Sequence, residues 1–472
     1  MNHNSSQTTE PHERVPFSRK VAWSLTGINE SLGQTAIMTM IFPVFNIGLG
    51  LSPILVGYAL AVSRIVDAVT DPIIGNLSDN ARTRFGRRKP FILTGALLML
   101  VTYTAIWMVP PHWSSAGKLA WLAISCCAYI TAFTIFSIPA TAMGYEMTSD
   151  ATERTRLIAT RAFVSIFSQL IPPWLYWFML QPMFGGNEVE GSRWVGFILG
   201  LIFVLCAIPA VLFGRENPQG ATQPPIKILK SIGLCLESAP FRVLLVYMLF
   251  LIAGMGSVYS FPQYLNIYYV FGGDKVAATA LLGMIGTVYA FAGMAATPLI
   301  AFLATHFGKR NVLIGGLLLT CVGLISTWWL YRPDSPWLQL IPAAAISAGL
   351  SCAWVLNGAF IGDICDADEV ETGLRREGIF VAMFGFIHKS SGSLVVVGSG
   401  FLLAWSGITE GVVDPSPEAI LRMRIIYPAV ATSLILTAIG AMLFYPLNEA
   451  RVHENQRFLA KRRGRIQSSG DS

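Results

Sequence analysis

The sequence predicts an all-α membrane protein: twelve transmembrane helices in two six-helix bundles, with both termini in the cytoplasm. Three observations lead there. The 472-residue chain is 53% hydrophobic and only 13% charged, whereas a soluble domain carries about 25% charged residues. Its apolar residues gather into continuous runs of roughly 20, the length that crosses a bilayer core. Its Lys and Arg residues are distributed unevenly between the connections. Lipid admits only spans whose backbone is internally satisfied, meaning helices or closed barrels. These runs do not alternate, so a barrel is excluded.

In chain order the runs are 22–47, 53–78, 91–110, 119–143, 157–180, 194–213, 241–270, 277–304, 312–331, 337–361, 378–405 and 425–446. Residues 1–20 are polar and the first run is too long for a signal h-region, so no cleaved leader is expected. The organisation that follows is a cytoplasmic tail at 1–20, a bundle at 21–213, a central loop at 214–240, a second bundle at 241–446 and a tail at 447–472. With the N-terminus inside, the cytoplasmic segments hold most of the Lys and Arg residues. The outer segments hold only Lys118, Arg193, Lys275, Arg332, Arg422 and Arg424. This asymmetry sets the orientation. The net charge of +6 therefore reads as membrane anchoring, with no nucleic-acid partner expected. The seven cysteines lie mostly in apolar runs and form no disulfide framework or metal spacing; they read as packing thiols.

The central loop divides six spans from six. "RFGRRKP" (84–90) follows the second span, and "HFGKRN" (306–311) follows the second span of the second half. A glycine with basic residues at equivalent places indicates an internal repeat. Two six-helix halves of this kind describe a major-facilitator architecture, a transporter plan rather than an enzyme. No metal motif or G-x-S-x-G nucleophile sequence is present to suggest an enzyme.

The second span is the chemically unusual one. "SRIVDAVTDPIIG" (63–75) carries Arg64, Asp67 and Asp71, spaced i, i+3 and i+7, so all three share one helical face. A charge at mid-membrane costs at least about 2.5 kcal/mol, so that face looks into protein or water. One arginine balances one carboxylate; the second is a site for a small cation or a proton. Carboxylate and hydroxyl oxygens suit a hard cation such as Na⁺. The fourth span, "FTIFSIP" (133–139), offers Thr134 and Ser137 on one face, and Pro139 frees a carbonyl. Arg161 and Lys389 are the other intramembrane cations, and Asn29 and Glu30 lie in the first span. All are candidates to line one polar cavity.

The stretch 51–97, with "EMTSDATERTRLIATR" (146–161), "DICDADEVETGLRREG" (363–378) and "HKSSG" (388–392), resembles the glycoside–pentoside–hexuronide:cation symporter family of melibiose-permease type. The resemblance implies that Asp67 and Asp71, with Thr134, bind the coupling cation, Na⁺ or H⁺, and that no other cofactor is needed. It places Arg161 and Lys389 at the sugar site, beside Asn29, Glu30, Arg64 and Thr141. Where the galactoside carriers have a fourth-helix aspartate this chain has Ser137, and Thr141 replaces an aromatic. A pocket that keeps Arg161 and Lys389 but loses carboxylates favours an anionic solute such as a uronate, unless Glu30 balances the charge. The family also implies a cytoplasmic gate of cross-half ion pairs from Arg154, Asp363, Asp366, Glu369 and Arg375. The function expected is alternating-access symport of a sugar, glycoside or uronate in the cell membrane, most simply a bacterial inner membrane, by a monomer. The alternatives are a lysophospholipid carrier and a non-transporting sensor.

Overall fold

The computed structural model describes residues 15–148, 150–214, 233, 235–373, 376–408 and 415–470. Among these residues every regular element is helical. The chain divides at 223/224 into two compact units. The central loop predicted at 214–240 lies mostly outside the described residues.

The first unit holds α1 (Phe17–Ser24), α2 (Thr26–Phe42), α3 (Pro53–Asn80), α4 (Lys89–Trp107), α5 (Ser115–Glu146), α6 (Ala151–Ser168), α7 (Pro172–Met179) and α8 (Glu188–Phe213). The second holds α9 (Ala239–Ser257), α10 (Lys275–Phe307), α11 (Lys309–Leu330), α12 (Leu340–Thr372), α13 (Glu377–Trp405), α14 (Pro417–Leu443) and a tail helix, α15 (Glu449–Gly470). The starts follow local chemistry. Asp150, Asn187 and Asp274 accept hydrogen bonds from the backbone N–H groups of Glu153, Glu190 and Ala277 at 2.6, 2.9 and 3.0 Å. These side chains satisfy donors that an open helix end leaves unpaired.

Nine helices among the described residues are long and apolar enough to cross a membrane. They coincide with nine of the twelve predicted runs. Two of the other three runs are divided, for a physical reason. Run 22–47 is divided between α1 and α2 and ends in a π-helical turn, Pro43–Gly48. Run 157–180 breaks between α6 and α7 at 169–171. Run 378–405 coincides with the continuous helix α13, which has His388 and Lys389 near its middle. Both divided runs carry polar or charged side chains, Asn29 and Glu30 in the first and Arg161 in the second, that a lipid-facing helix would avoid.

The two units repeat one packing scheme. In the first, α3 packs on α5, α4 on α5 and α8, and α1–α2 on α6 and α8. In the second, α10 packs on α12, α11 on α12 and α14, and α9 on α13 and α14. The order is therefore second on fourth, third on fourth and sixth, first on fifth and sixth in both. The basic loops repeat as well. Gly86 and Gly308 both adopt positive φ, 106° and 80°, a turn that costs glycine little and other residues more. Beyond each turn a cation reaches the C-terminal part of the fourth span of its own unit, α5 or α12. Arg88 pairs with Glu146 at 2.7 Å and with Asp79 at 3.0 Å. Lys309 pairs with Asp363, and its backbone N–H donates to Glu449 at 2.8 Å.

Candidate cation and solute site

α3 and α5 lie side by side, which brings the second-span carboxylates to the fourth-span hydroxyl. Thr134 Oγ1 lies 3.3 Å from Asp67 Oδ1 and 3.2 Å from Asp71 Oδ1. Thr134 is fully buried and Asp67 is 4% exposed. One hydroxyl proton serves two carboxylates at a time when like charges sit close together. A monovalent cation or a proton between them would relieve that repulsion. The donors are hard oxygens, and Pro72 and Pro139 interrupt the backbone ladders of the two helices nearby. Ser137 lies half-buried almost one turn beyond Thr134. Among the described residues no three His, Cys, Asp or Glu side chains gather at a point that would hold a metal ion.

Arg64 reaches the first span, where its Nη1 lies 3.4 Å from Gln34 Oε1 on α2. Gln34 has no counterpart in the sequence reading. Its signal was weak: one more amide on a helix where Asn29 and Glu30 already stood out.

A second cluster forms around Glu30. Its carboxylate accepts from Arg161 Nη2 and from Thr141 Oγ1 at 2.9 Å. The Arg161 guanidinium also lies 4.7 Å over the Trp23 ring, a favourable cation–π placement. Trp23 is fixed in turn by its indole N–H, which donates to the Ala140 carbonyl at 2.7 Å. Residues from α1, α2, α5 and α6 thus converge on one ion pair. Asn29 does other work: it is fully buried and donates to the Phe203 carbonyl on α8 at 2.8 Å. Of the two first-span candidates, Glu30 is therefore the one that balances Arg161. The net positive charge that the missing Ser137 carboxylate implied is correspondingly reduced. Lys389 lies on α13 of the other unit; its side chain is outside the described residues.

The expected gate residues have partners within their own units. Arg154 donates to the Thr148 carbonyl at 3.3 Å, and Asp363 pairs with Lys309. Asp366 and Glu369 are half-buried along α12, and Arg375 lies outside the described residues. Two acidic residues not singled out in the sequence are more deeply tied. Asp368 accepts from Arg376 Nε at 2.9 Å. Glu153 is buried between Lys20 at 2.6 Å and Arg156 at 2.8 Å. The hydrogen bond from Lys20 holds its carboxyl below the usual glutamate range. Burial opposes the shift and Arg156 adds to it.

A helical packing scheme repeated in two units, with paired carboxylates and a part-buried ion pair inside one of them, fits a multi-pass membrane transporter of the major facilitator type. The chain belongs to the MFS/sugar transport protein family, whose model matches residues 32–449. It is 24% identical to the glucuronide carrier protein homolog of Escherichia coli (strain K12), over 84% of this chain and 85% of that one. It is also 24% identical to the sodium-dependent lysophosphatidylcholine symporter 1 of Gallus gallus, over 89% and 85%. Its fold matches the crystal structure of a D-xylose-proton symporter with TM-score 0.61, covering 92% of this chain and 99% of that chain at 16% identity. These family members and structural neighbours are transporters, not enzymes.

Proposed function

We propose that this protein is a cation-coupled symporter of a sugar, glycoside or uronate, working by alternating access in the cell membrane. The observation that carries the reading is the convergence of Asp67, Asp71 and Thr134. Two carboxylates kept on an apolar helix are costly unless they are used. In this reading they take the coupling cation, with Ser137 as a further oxygen nearby. The solute is held by the Glu30–Arg161–Thr141 cluster together with Lys389 and Arg64. Binding of the cation raises solute affinity, and linkage requires the reverse to the same degree. The paired Glu30 argues for hydroxyl-rich solutes as well as uronates, because Arg161 no longer needs a ligand carboxylate. The glucuronide carrier relative supports the sugar-type assignment. The equally similar lysophosphatidylcholine symporter supports a second reading, an amphipathic zwitterion.

Purified protein in detergent should be stabilised by a true ligand through mass action. A thermal-shift panel of methyl β-D-glucuronide, methyl β-D-glucoside, D-xylose and lysophosphatidylcholine, with Na⁺ or choline at two pH values, tests the reading. Cation-dependent stabilisation by a sugar supports it. Stabilisation by the lysolipid alone selects the second reading, and a panel without any cation dependence removes symport.

A further inference from the structure

A small cavity in the first unit lies beside the carboxylate cluster but is separate from it. It is about 20 Å³, room for roughly one water-sized group. Gln34, Met38 and Arg64 are half-buried at its mouth; Ile37, Leu60, Ser63, Cys126, Tyr129 and Ile130 form its base and walls. It sits on the same helices as the candidate cation site. Arg64 is three residues before Asp67 on α3, and Tyr129 is five before Thr134 on α5. That spacing is about one to one and a half turns on each helix.

The polar groups around it are short of an acceptor. Tyr129 is 1% exposed and its hydroxyl has no hydrogen-bond partner. The hydroxyl is lodged against Gly33, where an added Cβ would come within 2.3 Å of it. Arg64 gives one of its N–H groups to Gln34 and has others to offer. Ser63 has already committed its proton to the Leu60 carbonyl at 2.7 Å. Arg64 and Tyr129 can therefore both donate, and the amide oxygen of Gln34 is already engaged. A buried tyrosine hydroxyl left unpaired is unfavourable, whereas phenylalanine would fill the same space without that cost.

We infer that this cavity is a subsite that receives a single oxygen of the transported solute, a hydroxyl or one carboxylate oxygen, with Gln34 and Tyr129 as specificity-determining residues. The inference rests on the symporter reading above. The solute oxygen accepts from Tyr129 Oη–H and from an Arg64 N–H, while the wall of Ile37, Leu60 and Ile130 excludes larger groups. Because Arg64 and Asp67 share one face of α3, solute at this subsite and cation at the carboxylates would meet through a single helix turn.

The test uses the full chain in nanodiscs, with Tyr129→Phe and Gln34→Leu. Affinities are measured for methyl β-D-glucuronide, methyl β-D-glucoside and D-xylose, and the Na⁺ midpoint is taken separately without solute. Both variants are expected to weaken the best wild-type probe about five- to tenfold, Tyr129→Phe by the loss of one hydrogen bond to the solute and Gln34→Leu by releasing the Arg64 guanidinium that Gln34 holds in place. The Na⁺ midpoint should stay within about twofold, and Tyr129→Phe should leave the ligand-free melting temperature equal or higher. Unchanged probe affinity in both variants overturns the inference and leaves the cavity to an ordered water only. Weaker probe binding accompanied by a lower ligand-free melting temperature also overturns it, in favour of a packing role. If no sugar probe binds wild type under any cation, the sugar reading itself fails and the subsite with it. Variants that bind like wild type would remove the subsite alone.

Discussion

The Glu30–Arg161 pair makes a prediction about solute charge that can be worked from its geometry. Glu30→Gln removes the carboxylate and leaves the guanidinium in place. Losing one partner of a fully buried ion pair costs about 3–5 kcal/mol. Here the Arg161 side chain is 14% exposed and that of Glu30 28%, so solvent screens part of the loss. The Trp23 ring under Arg161 and the glutamine oxygen retain a further part. About 1–2 kcal/mol of unbalanced positive charge remains, which a ligand carboxylate can satisfy in bidentate fashion. Preference for methyl β-D-glucuronide over methyl β-D-glucoside should then rise roughly tenfold, since about 1.4 kcal/mol is a factor of ten. Competition binding on the matched pair measures it, and Glu30→Gln combined with Arg161→Gln should bring the ratio back to the wild-type value. A ratio unmoved by Glu30→Gln, or one the double variant fails to restore, would show that this pair does not face the solute.

Three other expectations follow from the described contacts. Thr134→Ala removes a hydroxyl ligand shared by both carboxylates and should weaken cation activation about tenfold, while solute affinity at saturating cation is retained; a cation titration of binding decides. Glu153, whose carboxyl is held below its usual range by Lys20, contributes stability that is fully present above the unfolded glutamate value of about 4.3. That stability is lost as pH falls through the lower folded value, so the melting-temperature gap between wild type and Glu153→Gln should close under acid and stay constant near neutrality. Lys309→Ala leaves Asp363 buried without its cation and should destabilise more than Lys309→Ala with Asp363→Ala, a thermal-shift comparison in which equal losses would make the pair a solvated surface contact.

How much of this was legible in the chain depends on whether the signal is local. Nine spans announced themselves as continuous apolar runs, because lipid exposure imposes that pattern. The two that the structure divides, in α1–α2 and α6–α7, are segments where polar side chains interrupt the run. The Asp67–Asp71 face could be read from i, i+4 spacing alone, and Thr134 from its kinked neighbourhood. Glu30 against Arg161 could not, since the residues are 131 positions apart and either Asn29 or Glu30 fitted the pattern. Only the rotation of α2 against α8, which buries Asn29 on the Phe203 carbonyl, separates the two. Gln34 and Tyr129 carried no local signal, because an amide one turn beyond Glu30 and a tyrosine in an apolar run both read as packing. The partner of Asp363 was likewise a tertiary matter: the sequence put Asp363 in a cross-half gate, and only the packing of α10 and α11 on α12 brings it to Lys309.

The central claim is that Asp67 and Asp71 hold the coupling cation, and uphill transport tests it most directly. Wild type and Asp71→Asn would be reconstituted into liposomes, and accumulation of the best-binding radiolabelled sugar followed under an inward Na⁺ or H⁺ gradient. Exchange of the same sugar at equal concentrations on both sides would be measured in parallel. The account predicts that Asp71→Asn keeps its exchange activity but accumulates no sugar above the external concentration. An Asp71→Asn protein that concentrates sugar as wild type does, driven by the same cation, would contradict it.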